Sequence, residues 1–268
     1  MDGHSIVLEF RFAEGRTDRL PALAAELVRL KVDAIVTESN AAALAAKHAT
    51  RTIPIVMAIA GDPLKAGVVD NLARPGGNVT GLTLMHPELS GKRLQLLKEA
   101  VPRIGLVAVM WNPTSPGSAD LLRDTEAAAR SLSLNVHAIA VRAPADLDAA
   151  FKSVTDVRAS GLFVIPDGIF DYNRTRIVEF AMKNHLPGVF PSEAFAVAGG
   201  LMSYGPDLAA NLRRAAAYVD KILKGDSPAD LPIEQPTKFE LAINLGTARA
   251  LDLTIPQSVL ARADSLIQ

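Results

Sequence analysis

The features that the chain lacks exclude several classes of protein. It has no cysteine, which removes disulfides, thiolate catalysis and thiolate-ligated metal sites together. Its formal net charge is −1 and it has no run of lysine and arginine, which argues against electrostatic binding to nucleic acid or to a membrane surface. No apolar stretch approaches the roughly 18 residues of a membrane-spanning helix. We therefore expect no nucleic-acid partner.

Recognisable catalytic motifs are also missing. The sequence contains no G-x-S-x-G elbow, no Walker A loop and no G-x-G-x-x-G after its first predicted strand. The histidines are scattered, and no two of them have the spacing of a metal-ligating pair: His4, His48, His86, His137 and His185. The sequence therefore predicts no catalytic residue, no metal site and no cofactor.

Aromatic residues make up only 5% of the chain and concentrate in its second half. A flat ligand could stack on one or two of them, but core packing is the favoured role for any one by about three to one. The group consists of Phe163, Phe170, Tyr172, Phe180, Phe190, Phe195 and Tyr204.

Strand and helix patterns alternate along all 268 residues, which is typical of an α/β fold with doubly wound, Rossmann-like parallel sheets. The length suits two small lobes, and a hydrophobic content of 49% can supply their cores. We assign residues 1–102 to a first lobe and 103–205 to a second. Part of 206–224 should pack back on the first lobe, and 225–268 form a crossing segment with C-terminal strand and helices.

The periodicity predicts these elements in detail. Strands are expected at Ser5–Phe12, Ala34–Thr37, Ile55–Ile59, Val79–Leu82, Gly105–Trp111, 134–141, 161–165, 187–190, Leu201–Tyr204 and 239–243. Helices are expected at Asp18–Leu30, 41–49, 63–73, 88–100, 116–132, 145–158, 172–184 and 207–224, followed by two short helices after the last strand.

The most informative stretch is PIVMAIAGDPLKAGVVDNLARPGGNVTGLT, residues 54–83. It places an apolar strand before Asp62-Pro63, a pair that suits a helix start because the carboxylate can cap the first turn and proline fits the first helical position. The turn at 74–78 then leads into another short strand. Open parallel sheets bind ligands in the crevice beyond such strand ends.

Longer motifs near the C-terminus carry a family resemblance. They are GGLMSYGPD (199–207), AAAYVDKILKGDSPADLPIEQPTKFELAINLGTARALDLTIP (215–256) and LARADSLI (260–267). With residues 54–83, they make the chain resemble bacterial ABC-transporter substrate-binding proteins of the tryptophan/tyrosine type, from about Gly3 onward. The resemblance implies a type I periplasmic-binding fold and a non-enzymatic receptor, periplasmic or lipid-anchored outside the cytoplasm. Such a receptor closes on a small, amino-acid-like solute and presents it to a membrane permease.

The sequence departs from that family at its start. Members carry an export signal and a first strand and helix before the segment that matches His4–Glu14, whereas here Met1 falls just ahead of it. We expect this chain to lack the signal and one βα unit. By the strand order 2-1-3-4-5, the missing strand would lie between Ser5–Phe12 and Ala34–Thr37. Either these two strands pair directly, or a partner chain supplies the edge in a homodimer.

Candidate ligand-binding residues follow from the predicted strand ends of both lobes: Ser39, Asn40, Asp62, Thr80, Asn112, Asp167, Glu193 and Tyr204. Alternative roles stay open for several of them. Ser39 and Asp62 are equally suited to capping a helix, and Pro166-Asp167-Gly168 is equally consistent with a plain turn.

Two other functions remain open. Asp167 and Glu193 could form the acid/base pair of a small-molecule-processing α/β enzyme, although carboxylates at strand ends also bind ligand ammonium groups without chemistry. A ligand-sensing regulator core shares this fold class, but it would need a DNA-binding module, and no basic helix-turn-helix segment is present in the sequence.

Overall fold

The computed structural model describes residues 6–84 and 89–268, and these residues build two sheets. The strands are β1 (Ile35–Thr37), β2 (Ile55–Ala60), β3 (Val79–Thr83), β4 (Leu106–Trp111), β5 (Asn135–Ala140), β6 (Gly161–Val164), β7 (Gly188–Phe190), β8 (Met202–Pro206), β9 (Phe239–Asn244) and β10 (Ser265–Ile267).

The α-helices surround these sheets. They are α1 (Leu20–Arg29), α2 (Asn40–Ala49), α3 (Leu89–Ala100), α4 (Ser118–Ser131), α5 (Leu147–Asp156), α6 (Gly168–Tyr172), α7 (Arg174–Lys183), α8 (Glu193–Val197), α9 (Leu208–Leu223), α10 (Leu245–Ala250) and α11 (Gln257–Leu260). Among the described residues, none of these helices combines the length and the hydropathy needed to cross a membrane.

The first sheet has three parallel strands in the order β1-β2-β3. One face packs on α2 through a core that includes Ile35, Ala43 and Ile55. The other face packs on α9, where Tyr218 is buried. A late segment of the chain extends this sheet, because Glu234 forms a parallel bridge with Leu82.

The second sheet has seven strands in the order β10-β9-β8-β7-β6-β4-β5, parallel except for the β8–β9 pair. Its inner strands β4, β6, β7 and β8 are buried on both faces, as is typical of a parallel sheet between helices. Along β4, Val107 and Val109 point into a core shared with α3, α4, α10 and α11, whereas Ala108 and Met110 point into a core shared with α5, α7 and α8. The two-lobed α/β architecture of type I periplasmic-binding proteins is thus confirmed.

Most of the predicted strands and helices are found within one or two residues of their expected limits, but the strand predicted at Ser5–Phe12 is wrong. Residues 6–12 have no regular structure, and Ser5 lies outside the described residues. Direct pairing with 34–37 is also wrong, because β1 pairs with β2 alone among the described strands. An alternating pattern becomes a strand only where a neighbouring strand accepts its backbone groups.

The helix predicted at 63–73 is also wrong. Asp62 does cap a turn, since its Oδ1 accepts from the backbone N–H groups of Leu64 and Lys65, each at 3.0 Å. The chain then leaves the helical path at Gly67, where φ is +71°, and continues in turns and bends. Glycine adopts this left-handed conformation readily, so the turn ends there.

Two further differences concern the second lobe. The helix predicted at 172–184 is found as α7, but the short helix α6 that precedes it and the final strand β10 were not predicted. Helix α3 falls within the predicted first lobe, 1–102, but it packs on the second sheet because its apolar face, with Leu94 and Leu97, joins that sheet's core. The helix predicted at 207–224 packs on the first sheet as α9.

Candidate functional site

Strand ends from both sheets face one cavity of about 220 Å³. On the first-lobe side, Glu38, Gly61 and Leu84 follow β1, β2 and β3 directly. On the second-lobe side, Pro166 and Pro191 follow β6 and β7. Because the carboxyl ends of parallel strands meet at one edge of a sheet, the side chains of both lobes converge here.

Ser39 and Asn40 bring the start of α2 to this cavity. Ser39 caps the helix, since its Oγ accepts from the N–H of Ala42 at 3.1 Å. Asn40 is buried, and its Nδ2 donates to the carbonyl of Asp62 at 3.3 Å. Its Oδ1 has no hydrogen-bond partner. A buried acceptor of this kind is costly unless a partner arrives, so Asn40 presents a free acceptor at the cavity lining.

Of the four residues predicted on the second-lobe side, Asp167 is the one that lines the cavity. Its carboxylate caps α6 by accepting from the N–H of Ile169 at 2.9 Å and receives the Asn112 side-chain amide at 3.2 and 3.3 Å. Burial raises the pKa of Asp167, and the hydrogen bonds from Ile169, Ser115 and Asn112 oppose that rise. Asn112 is itself fully buried, and its side-chain amide holds the carboxylate by donating to both of its oxygens.

Asp171 lies one helical turn after Asp167 and also lines the cavity. Its pKa is raised to about 7, chiefly by burial and next by the neighbouring Asp167; Arg174 opposes this rise, and Glu38 of the first lobe adds a smaller contribution to it. Protein atoms surround the Asp171 side chain, but solvent still reaches it through the open cavity. Three carboxylates, from both lobes, thus repel one another at this site.

Arg93 supplies the opposite charge. It lies on α3, lines the cavity and is only 3% exposed. Its Nε donates to the carbonyl of Tyr204 at 2.6 Å and its Nη2 to the carbonyl of Pro191 at 3.4 Å. Burial lowers the pKa of Arg93 to about 10, so the guanidinium stays charged at neutral pH. Within the described ranges no carboxylate forms an ion pair with it.

Four predicted residues lie outside the lining. Thr80 is fully buried and donates to the carbonyl of Leu231 at 2.7 Å, which ties the first sheet to a late segment. Asn112 sits behind Asp167, and Glu193 is exposed at the start of α8. Tyr204 stacks on Phe239 with ring centroids 6.1 Å apart, because its side chain points away from the strand end.

Ser39, Asn40, Asp62 and Asp167 therefore line the cavity, as the strand-end rule anticipates, and their contact with a ligand stays a prediction. Sequence reasoning missed Glu38, Asp171 and Arg93 as site residues. A usable signal existed for Asp171, which follows Asp167 at the helical spacing of four. No aromatic side chain among the described residues lines the cavity, because most of the second-half aromatics pack in the second lobe's cores.

The two lobes also touch at the rim of the cavity. Lys65 of the first lobe lies 3.9 Å from Asp124 on α4, and both are about half exposed. The turn at Gly15 packs against the second lobe, since a Cβ placed on Gly15 would lie 3.5 Å from atoms of Ile169 and Asn173. The cavity is therefore bounded on two sides by contacts between the lobes.

Comparison with known proteins gives consistent matches. A family model described as ABC transporter substrate binding protein matches residues 1–267. A tyrosine-binding protein of Clostridioides difficile is 28% identical over 252 residues, which are 94% of this chain and 72% of that protein.

Two solved structures share the fold closely. The crystal structure of an ABC domain from Streptococcus pneumoniae in complex with L-Trp is 25% identical, with a TM-score of 0.91 over 98% of this chain and 88% of that one. A conserved domain protein from Vibrio cholerae O1 biovar El Tor is 26% identical, with a TM-score of 0.92 over 99% of this chain and 88% of that one.

Proposed function

Because this chain belongs to the family of ABC transporter substrate-binding proteins, and so is the solute-binding receptor of an importer, we propose that it binds an amino-acid-like solute between its lobes. The observation that carries this proposal is the set of carboxylates Glu38, Asp167 and Asp171 at one cavity. The tyrosine-binding relative and the L-Trp complex support an amino acid as the class of ligand.

The electrostatics favour a ligand with an ammonium group. Asp167 raises the pKa of Asp171, and Glu38 acts in the same direction from the opposite lobe. A cation placed among these three carboxylates reverses that repulsion, because an opposite charge within a few ångströms favours the ionised form of each. The free Oδ1 of Asn40 offers one further acceptor for the same group.

The same arrangement explains how a ligand would hold the lobes together. Glu38 belongs to the first lobe and the two aspartates to the second, so without a cation their repulsion opposes closure. A ligand that contacts both lobes shifts the equilibrium toward the closed state by its differential affinity for that state. We further propose that the protein works outside the cytoplasm, delivers the solute to a permease and carries out no chemistry on it.

A panel of L-amino acids tests this function. We expect at least one to raise the melting temperature and to reduce the radius of gyration in solution scattering. Asp167→Asn and Asp171→Asn should each weaken its binding about tenfold or more, since each removes a charged partner of the ammonium group. Glu193→Gln is the matched control, because Glu193 lies outside the cavity lining. A panel without any stabilising member would contradict the proposal.

A further inference from the structure

Arg93 is a buried cation whose charge the described residues leave unbalanced. The side chain is 3% exposed, and its two hydrogen bonds go to the neutral carbonyl groups of Tyr204 and Pro191. A charge held away from water is unfavourable unless a group of opposite sign joins it. The acidic residues at the same cavity do not supply that group, since no described carboxylate lies in ion-pair contact with Arg93.

Its hydrogen-bonding capacity is also only partly used. A guanidinium carries five N–H donors in a fixed planar fork. One donor from Nε and one from Nη2 are directed at carbonyls, so three donors remain, including both on Nη1. Because the Pro191 carbonyl directly follows β7 and the Tyr204 carbonyl lies within β8, two inner strands of the second sheet fix the orientation of the fork.

We propose that Arg93 binds the carboxylate of the ligand, so that the receptor requires a free carboxylate in addition to the amine. The inference deepens the proposed function and rests on it. A carboxylate matches the guanidinium fork with two parallel hydrogen bonds, which are stronger than bonds between neutral groups. Lys65 is a poor alternative anchor, because it is about half exposed and already lies beside Asp124.

The cavity would then recognise both ends of a zwitterion. Arg93 holds the carboxylate, while Glu38, Asp167 and Asp171 hold the ammonium group. An amine that lacks the carboxylate would leave the guanidinium buried and unpaired in the closed state. Because leaving one partner of a buried charge pair unmatched strongly weakens binding, we expect discrimination of about 100-fold or more against such amines.

Calorimetric titration with matched probes tests the inference. L-tyrosine is compared with tyramine, and L-leucine with isopentylamine, so that each pair differs only in the carboxylate. The wild-type chain should prefer at least one amino acid over its amine by about 100-fold. Arg93→Met should reduce that preference to below about fivefold, and Arg93→Lys should give an intermediate value because it keeps the charge but loses the fork. Lys92→Met, a neighbour on α3 outside the cavity lining, should leave the preference unchanged.

The outcomes separate this inference from the proposed function. Binding of an amino acid and its amine with equal affinity to the wild-type chain overturns the role of Arg93 and leaves amine binding intact. If none of the four probes binds to the wild-type chain, the result counts against the proposed function itself. If Arg93→Met weakens an amino acid and its amine equally, Arg93 has a structural role only. Should that variant not fold, the wild-type preference and Arg93→Lys decide the question.

Discussion

The first sheet has three strands and the second has seven, yet both contribute walls to the same cavity. In the second lobe, all four residues of β6 are buried between two helix layers. In the first lobe, the edge strand β1 leaves Val36 50% exposed, and the apolar side chains of residues 6–12 lie largely in solvent. We therefore expect the second lobe to be the more stable support of the cavity and the first lobe to be its more easily deformed wall.

The difference shows that apolar content alone does not create a core. Residues 6–12 are as apolar as many strands of the second lobe, but their apolar side chains stay exposed. Arg11 holds them to α1 by an ion pair with Glu26 at 2.9 Å. Such a pair near the surface contributes at most about 1 kcal/mol. Burial, and with it stability, requires a neighbouring element to cover the side chains.

The largest expected effect is a difference in stability between alanine substitutions at a buried and at an exposed phenylalanine. Phe163→Ala should destabilise the protein by about 3–5 kcal/mol, because Phe163 is fully buried in the second lobe and its loss leaves a cavity. Phe10→Ala should change the free energy of unfolding by less than about 0.5 kcal/mol, since Phe10 is 63% exposed. Urea unfolding followed by circular dichroism measures both. A loss above 2 kcal/mol for Phe10→Ala would mean that the segment is covered in solution, as a homodimer would require.

A smaller effect concerns the pH dependence of the unliganded protein. The pKa of Asp171 is raised by burial and by Asp167 from its usual 3.8 to about 7. A carboxyl with a raised pKa in the folded state favours folding fully below the unfolded-state pKa, and this contribution is lost as pH rises through the folded-state pKa. Relative to Asp171→Asn, the wild-type chain should therefore lose stability between about pH 4 and pH 8.

Because solvent reaches Asp171 through the cavity, we expect a loss of only about 1 kcal/mol rather than the full value of the pKa shift. Melting temperatures of both proteins across this pH range check the prediction. Asp148→Asn is the control, since that side chain is on the surface and pairs with Arg176 at 2.8 Å. Parallel pH profiles for the wild-type chain and Asp171→Asn would rule out titration of Asp171 in this pH range.

An effect of similar size, confined to one turn, is expected at the cap formed by Asp62 in the first lobe. Asp62→Ala should cost about 1 kcal/mol, because it removes the acceptor of two backbone N–H groups. Asp62→Asn keeps an acceptor and should recover most of the loss. Unfolding in urea measures both variants, and titration with the preferred amino acid shows whether Asp62 also contacts the ligand. Equal stability of Asp62→Ala and the wild-type chain would show that the turn forms without its cap.

Sequence reasoning succeeded best where local pattern and tertiary environment agree. The continuous apolar runs that form β4 and β6 are typical of strands buried on both faces, and the structure has them there. Sequence reasoning failed at residues 6–12, because no strand among the described residues pairs with them, and at 63–73, because one glycine conformation ends the turn. Both failures fall in the less completely covered lobe.

The sequence also predicted only some of the residues that line the cavity. Strand ends identified Ser39, Asn40, Asp62 and Asp167, since topology alone brings such residues to the cavity. Arg93 could not be found in this way, because it lies in the middle of a helix and reaches the cavity only through the packing of α3 on the second sheet. Tyr204 shows the converse error, in which the strand end is correct but the side chain faces elsewhere.

The bond between Thr80 and the carbonyl of Leu231 has a consequence for the order in which the protein folds during its synthesis. The two residues are 151 positions apart, and Glu234 and α9 complete the same sheet. At roughly 5–20 residues per second, a ribosome needs about 8–30 s to extend the chain from one to the other. The first lobe is thus synthesised first but completed last. While the second lobe forms, one edge of β3 stays without the segment that contains Leu231 and Glu234.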